Sequence, residues 1–488
     1  MMNLKRIGNW TTEISSRPWF DYGLLFLITL LAAALRFYKL GEWSFWIDEI
    51  YTVNHAMAHF SSPELILGHI PPARNWVPLS VIFSAQTMNV LGVNEWSARF
   101  IAAVIGVLTI PILYWTLRKI VDHPVALLTM LLLAVAPWHI FWSQNARFYT
   151  SLMLFYTLAL FSFYFAIERD RPLYLIVFYV LFYLAVSERM IGILLMPVIV
   201  VYLLLLWLLP FEKPAGFKAR NILLLAFPVV VFLMYQIYLF AATGDFMFAS
   251  DLEFLAAPID TPIRLLILIA FNIGIPILCL AFFGGIYLFM KKDRAGLFFL
   301  IASVVPPLLI AMANPFVFTV ERYAFMTLLF WVVLAASSIQ SIATLAGKQG
   351  MVLIFGVLFI LLADAAGDNL LYYQINHGNR LDWRASVGFV QERMQQGDVV
   401  VSTRAPLASY YLGEDTLEFQ NLSPADLERI DMPIWFLMEY PGIWYGNEAS
   451  RVWIEEHAQL LQYSYLRVME QNYSRLDTVL DQTPRKGP

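Results

Sequence analysis

The sequence predicts a polytopic α-helical membrane protein with about 11 transmembrane helices and a small C-terminal α/β domain outside the bilayer. Three observations carry this. The 488 residues are 60% hydrophobic and only 14% charged, with a mean hydropathy of +0.65; a soluble domain is about 25% charged. Apolar runs recur at spanning length. After about residue 367 the composition turns soluble.

The apolar runs lie at 21–38, 98–117, 124–142, 150–167, 172–187, 190–209, 221–241, 263–289, 295–312, 323–345 and 351–366. Basic residues gather in one alternate set of connections, among them Arg118, Lys119, Arg169, Arg171, Lys218, Arg220, Lys291 and Lys292. The connection from Ala242 to Pro262 carries four acids and no base. The positive-inside rule then makes the N-terminus cytoplasmic, and an odd number of crossings puts the C-terminal domain outside. The chain divides into a membrane domain over 1–366, with a first outer loop over 39–97, and a soluble domain over 367–488. Within the loop, "NWVPLSVIFSAQTMNVLGV" is too polar to span and too apolar to float, and reads as an interfacial helix. In the tail, "DVVVST" and "PIWFLMEY" read as buried strands, "WRASVGFVQERMQQ" and "NEASRVWIEEHAQLL" as amphipathic helices.

The net charge of −4 gives no footprint for nucleic acid. A single cysteine, Cys279, excludes an intramolecular disulfide and a cysteine metal cluster. The membrane segments are nearly free of charge in their interiors, where each ionised group costs about 2.5–3.5 kcal/mol. The unusual charges sit at the outer ends of segments: Asp48 and Glu49, Arg147 with Tyr149, Glu188 and Arg189, Arg322 with Tyr323, and Asp364. Alone, each has an ordinary explanation: a solvated acid, a snorkelling arginine, Glu188 paired with Arg189, or, for His69, a loop histidine. Together they suit a substrate that is half lipid and half phosphate, because guanidinium binds phosphate oxygens through a planar fork and a shielded carboxylate serves as general base.

"FWIDEIYT", "HIPP", "NEWSARFIAAVIGVLTIPILYW", "WSQNARFYTSLML" and "VERYAFMTLLFWVVLAA", followed in the tail by "LDWRASVGFVQERMQQGDVVV" and "SYYL", occur in an order that resembles the bacterial GT-C glycosyltransferases. The protein O-mannosyltransferase-like branch (family 39), which includes the aminoarabinose transferase of lipid A, is the nearest in pattern. The resemblance implies a GT-C fold in the cell membrane and an enzyme that takes a monosaccharide from a polyprenyl-phosphate donor to a glycan, lipid or protein acceptor. It implies Asp48 as catalytic base with Glu49 its companion, and Arg147, Tyr149, Arg322 and Tyr323 at the substrate; His69 falls on a His-Pro-Pro position where Ile70 intervenes here. Relatives carry an acid where this chain has Asn145, so the second carboxylate a divalent metal would use is missing from that place, and no cofactor is assigned. Glu49 or Glu188 would compensate. The alternatives are a lipid or sugar transporter or flippase, an oligosaccharide ligase of the same superfamily, and a non-catalytic protein that displays the outer domain.

Overall fold

A computed structural model describes residues 18–61, 78–243, 261–439, 448–467 and 473–481. The chain forms two compact units. The first comprises Met1–Tyr38, Ser62–Phe83 and Ile101–Ala366; the second comprises Lys39–Ser61, Ser84–Phe100 and Gly367–Pro488.

The first unit is a helical membrane bundle. Among the described residues seven helices are each long and apolar enough to cross a bilayer, or nine if each of two bent helix pairs is one span. The 16-residue helix Leu173–Glu188 and the 20-residue helix Pro18–Phe37 occupy the remaining two expected spans. Tyr149–Glu168 is the most enclosed, whereas the 219–242 segment turns most of its surface outward. Close helix approach is set by small residues. A Cβ at Gly284 would strike the backbone carbonyl of Leu334 on the neighbouring Leu328–Leu345 helix.

Two expected spans are broken, each next to a proline-led helix start. His123–Val135 bends by 60° into Pro137–Ser143. Pro137 has no N–H for the carbonyl four residues back and drives Ala136 into an extended conformation (φ −58°, ψ 120°). The fully buried Arg36, at the end of the first helix, takes over the released carbonyls, donating to Ala134 O at 2.7 Å and Leu133 O at 3.2 Å. Its guanidinium also donates to His139 Nδ1 at 2.8 Å. The run at 263–289 is likewise two helices, Pro262–Ile273 and Ile275–Met290, bent by 96° at Gly274. Gly274 has φ +95°, which a side chain would strain, and Pro276 follows in the next first turn.

In the second unit a mixed sheet has strand order β2-β1-β3-β5-β4. β1 (Val399–Ser402) pairs parallel with β2 (Leu417–Glu418) and β3 (Ile434–Glu439), and β5 (Tyr473–Asp481) runs antiparallel between β3 and β4 (Ala458–Arg467). Val401, Phe436, Met438, Trp453 and Ile454 form its core with Phe419 and Leu427. The expected strands and the helix at Trp383–Gln391 are present. The helix expected to run through Leu461 stops at His457, because the following ten residues pair with β5. The outer-loop segment expected to be helical forms the helix Leu79–Leu91.

Candidate active site

The acidic pair lies in the second unit, in the first turn of the helix Ile47–Ser61. Acids there face the positive end of the helix dipole. Consecutive helix positions point about 100° apart, and the two carboxylates diverge accordingly. Glu49 is completely buried, whereas Asp48 is partly exposed.

Glu49 is the hub of an ion network. Arg99 grips it bidentately, Nε to Oε1 at 2.8 Å and Nη2 to Oε2 at 2.9 Å. Arg380 Nε approaches Oε2 at 3.2 Å, and the Trp46 N–H donates to the same oxygen at 3.3 Å. Arg99 spends its other donors on the carbonyls of Leu40, Trp43 and Ser44 at 2.9–3.1 Å. Arg380 Nη1 donates to Gly378 O at 2.9 Å. No Lys or Arg neighbours Glu49 in sequence, and its bases come from 50 and 331 residues away. Neither Arg99 nor Arg380 is singled out by sequence. Arg99 lies inside the quoted "NEWSARF" stretch, so a signal existed; Arg380 has none.

The remaining described candidates belong to the first unit. Arg147 sits in the turn between Pro137–Ser143 and Tyr149–Glu168, and its guanidinium lies 5.0 Å from the centroid of the Phe148 ring. The Arg189 guanidinium lies 5.6 Å from the same centroid. The two arginines thus share one aromatic ring. Tyr149 is buried and packs on Trp142 with centroids 3.9 Å apart.

Glu188 does not pair with Arg189. Its oxygens accept from the Ser80 backbone N–H at 3.0 Å and the Ser80 hydroxyl at 2.6 Å. Arg322 and Tyr323 lie in a 3₁₀ turn, Glu321–Thr327, rather than in a regular helix. That turn is seated by Phe325 against Trp138, His139 and Trp142 at 5.3, 5.8 and 6.4 Å. The aromatic corner of Trp142 therefore supports both the Tyr149 and the Arg322 segments.

Three further positions named from the sequence remain. His69 lies outside the described residues. Asp364 does not end its helix, which continues to Leu370 and leaves Asp364 on an exposed face within it. Asn145 is buried and turns its amide back to Phe141 O at 2.8 Å, so it serves the helix end. Among the described residues no three His, Cys, Asp or Glu side chains come together as a metal ion would need.

Residues 72–249 match the model of the dolichyl-phosphate-mannose-protein mannosyltransferase family. No curated protein matches the chain in sequence. Two crystal structures of ArnT from Cupriavidus metallidurans, apo and bound to undecaprenyl phosphate, are 13% identical with TM-scores of 0.59 and 0.58; they cover 94% and 96% of this chain and 98% and 99% of ArnT. The Archaeoglobus fulgidus oligosaccharyltransferase AglB, in complex with an inhibitory peptide and a dolichol-phosphate, is 12% identical with a TM-score of 0.58, covering 93% of this chain and 74% of AglB. The chain is a multi-pass membrane protein with the fold of these GT-C enzymes, and the resemblance read from its motifs is borne out.

Proposed function

We propose that this chain, with the GT-C fold and a mannosyltransferase family match over 72–249, moves a monosaccharide from a polyprenyl phosphate to an acceptor outside the membrane. The lipid-linked donor is favoured by the lipid phosphates bound to ArnT and AglB. The N-terminus lies in the cytoplasm and residues 367–488 outside, following the basic loops. The observation that carries the reading is the division of labour between the two adjacent acids. Glu49 is committed to two arginines and cannot act as a base without breaking a buried ion network. Asp48, on the next position of a helix anchored by that network, is partly open to solvent.

In this reading Arg147 and Arg322 hold the donor phosphate, and Arg189 adds charge beside the shared Phe148 ring. Tyr149, Tyr323 and Glu188 line the substrate path. Asp48 accepts the proton of the acceptor hydroxyl or amine as that atom bonds to the anomeric carbon. The bond from this carbon to the phosphate oxygen breaks with its electron pair leaving on phosphate. One displacement inverts the anomeric centre, and the arginines stabilise charge growing on the departing phosphate. Glu49 thus positions the loop.

The purified protein, incubated with a panel of undecaprenyl-phosphate monosaccharides and membrane-extract acceptors, is expected to release undecaprenyl phosphate. Asp48→Asn, which keeps shape and removes the base, is expected to reduce release by at least about a hundredfold while undecaprenyl phosphate still binds. Undiminished release would remove Asp48 from the mechanism. A second reading, lipid transport, draws on the two broken spans, a transporter trait; movement of lipid-linked sugar across liposomes without product would favour it.

A further inference from the structure

We infer that Tyr411, in the soluble tail, is a positioning residue for Asp48, acting through the stretch Trp43–Trp46 that leads into the acidic helix. This rests on the reading of Asp48 as the base.

Trp43–Trp46 has no regular secondary structure, so its path depends on what its backbone bonds to. Arg99 takes the Trp43 and Ser44 carbonyls from one side. The tail supplies the other side. The Phe45 N–H donates to Tyr411 Oη at 2.7 Å, and Tyr411 Oη donates in turn to Glu95 Oε1 at 2.7 Å. Arg384 reaches the same Glu95 oxygen, and its backbone N–H donates to Ser44 Oγ at 3.1 Å. The fully buried Phe45 ring meets Tyr410 edge-on at 5.3 Å, three residues before Asp48. The helix Ala405–Leu412, which carries both tyrosines, packs on the helix Ile47–Ser61.

A hydroxyl is needed to complete this chain, and the tyrosine ring carries it to Phe45 and Glu95. Its oxygen must accept from one group and donate to another, which phenylalanine cannot do and which a carboxamide cannot do through one atom. Burial, with the Glu95 carboxylate beside it, holds the Tyr411 phenol well above its ordinary value, so it stays protonated and keeps its donor. The "SYYL" stretch of the tail thereby acquires a role: it aims the loop that carries the base.

The test uses the full chain in nanodiscs and two readouts. Tyr411→Phe is expected to raise amide exchange over 43–52 by about tenfold while the β1 and β3 strands stay protected. It is expected to lower kcat for undecaprenyl phosphate release about ten- to a hundredfold, with KM for the undecaprenyl-phosphate sugar within about twofold. Glu95→Gln, which keeps the tyrosine but weakens its acceptor, is expected to shift both readouts in the same direction by less. Unchanged exchange over 43–52, exchange raised equally throughout the tail, or a change confined to KM would each overturn the inference. If Asp48→Asn retained full release while Tyr411→Phe loosened 43–52, the catalytic reading would fail and the loop-holding role would stand.

Discussion

Glu49 and Glu188 are both buried carboxylates in this membrane protein, yet their surroundings differ in kind. Glu49 meets two guanidinium groups, one of them bidentate, with distances of 2.8–3.2 Å. Glu188 meets neutral serine donors, chiefly the backbone N–H and hydroxyl of Ser80. The first arrangement ties together three segments distant in sequence: the acidic loop, the entry to the Glu95–Leu117 helix, and the start of the tail. The second ties two neighbouring helices with neutral donors. A charge-compensated carboxylate resists replacement because its partners are themselves charges with nowhere else to go. A carboxylate served by hydroxyl and amide tolerates a neutral isostere.

Arg99→Met should break the comparison most strongly. It removes the bidentate partner of Glu49 and the donors to three loop carbonyls, and leaves the buried carboxylate without its strongest counter-charge. Loss of one partner of a buried pair costs about 3–5 kcal/mol. Thermal unfolding in detergent should show a large drop, and release of undecaprenyl phosphate should fall with it because the Asp48 loop loses its inner anchor. A stability change under about 1 kcal/mol would mean that the network is dispensable and that Glu49 and Glu188 are alike after all.

The same contrast explains what could be read from the chain. The apolar runs were legible because a span needs about 20 residues of one character, and all eleven fall on helices. The breaks at Ala136 and Gly274 were not, although Pro137 and Pro276 marked both places, because hydropathy averages over the kink. Asp48 and Glu49 were legible as unusual acids, but their different environments follow from a helical turn and from Arg380, 331 residues away. The guanidinium pair on Phe148 was legible only as two separate helix-end arginines. Strand β5 went unread because its pairing with β3 and β4 is a tertiary choice.

Glu188→Gln should have a middling effect. The amide oxygen can still accept from Ser80, while the new NH₂ group adds donors where an acceptor stood. The expected cost is about 1 kcal/mol, visible as a shift of a few degrees in thermal unfolding. Glu49→Gln measured beside it should cost clearly more, because two arginines lose their counter-charge. Equal losses in the two variants would sink the distinction between charged and neutral compensation.

Arg189→Ala should change stability least and yet be the sharpest probe of function. Arg189 is exposed and lies over the face of Phe148, an interaction of about 0.5–1 kcal/mol at such a site. Its stability cost should therefore be at most that. If it also helps hold the donor phosphate beside Arg147, the alanine variant should bind undecaprenyl phosphate several-fold more weakly at unchanged stability. Arg189→Lys then separates two ways of doing so: lysine keeps the positive charge but lacks the planar fork that matches phosphate oxygens and stacks on a ring. Binding restored by lysine would assign Arg189 a role through charge alone. Binding still impaired would show that the flat guanidinium, held against the ring it shares with Arg147, is what the phosphate needs.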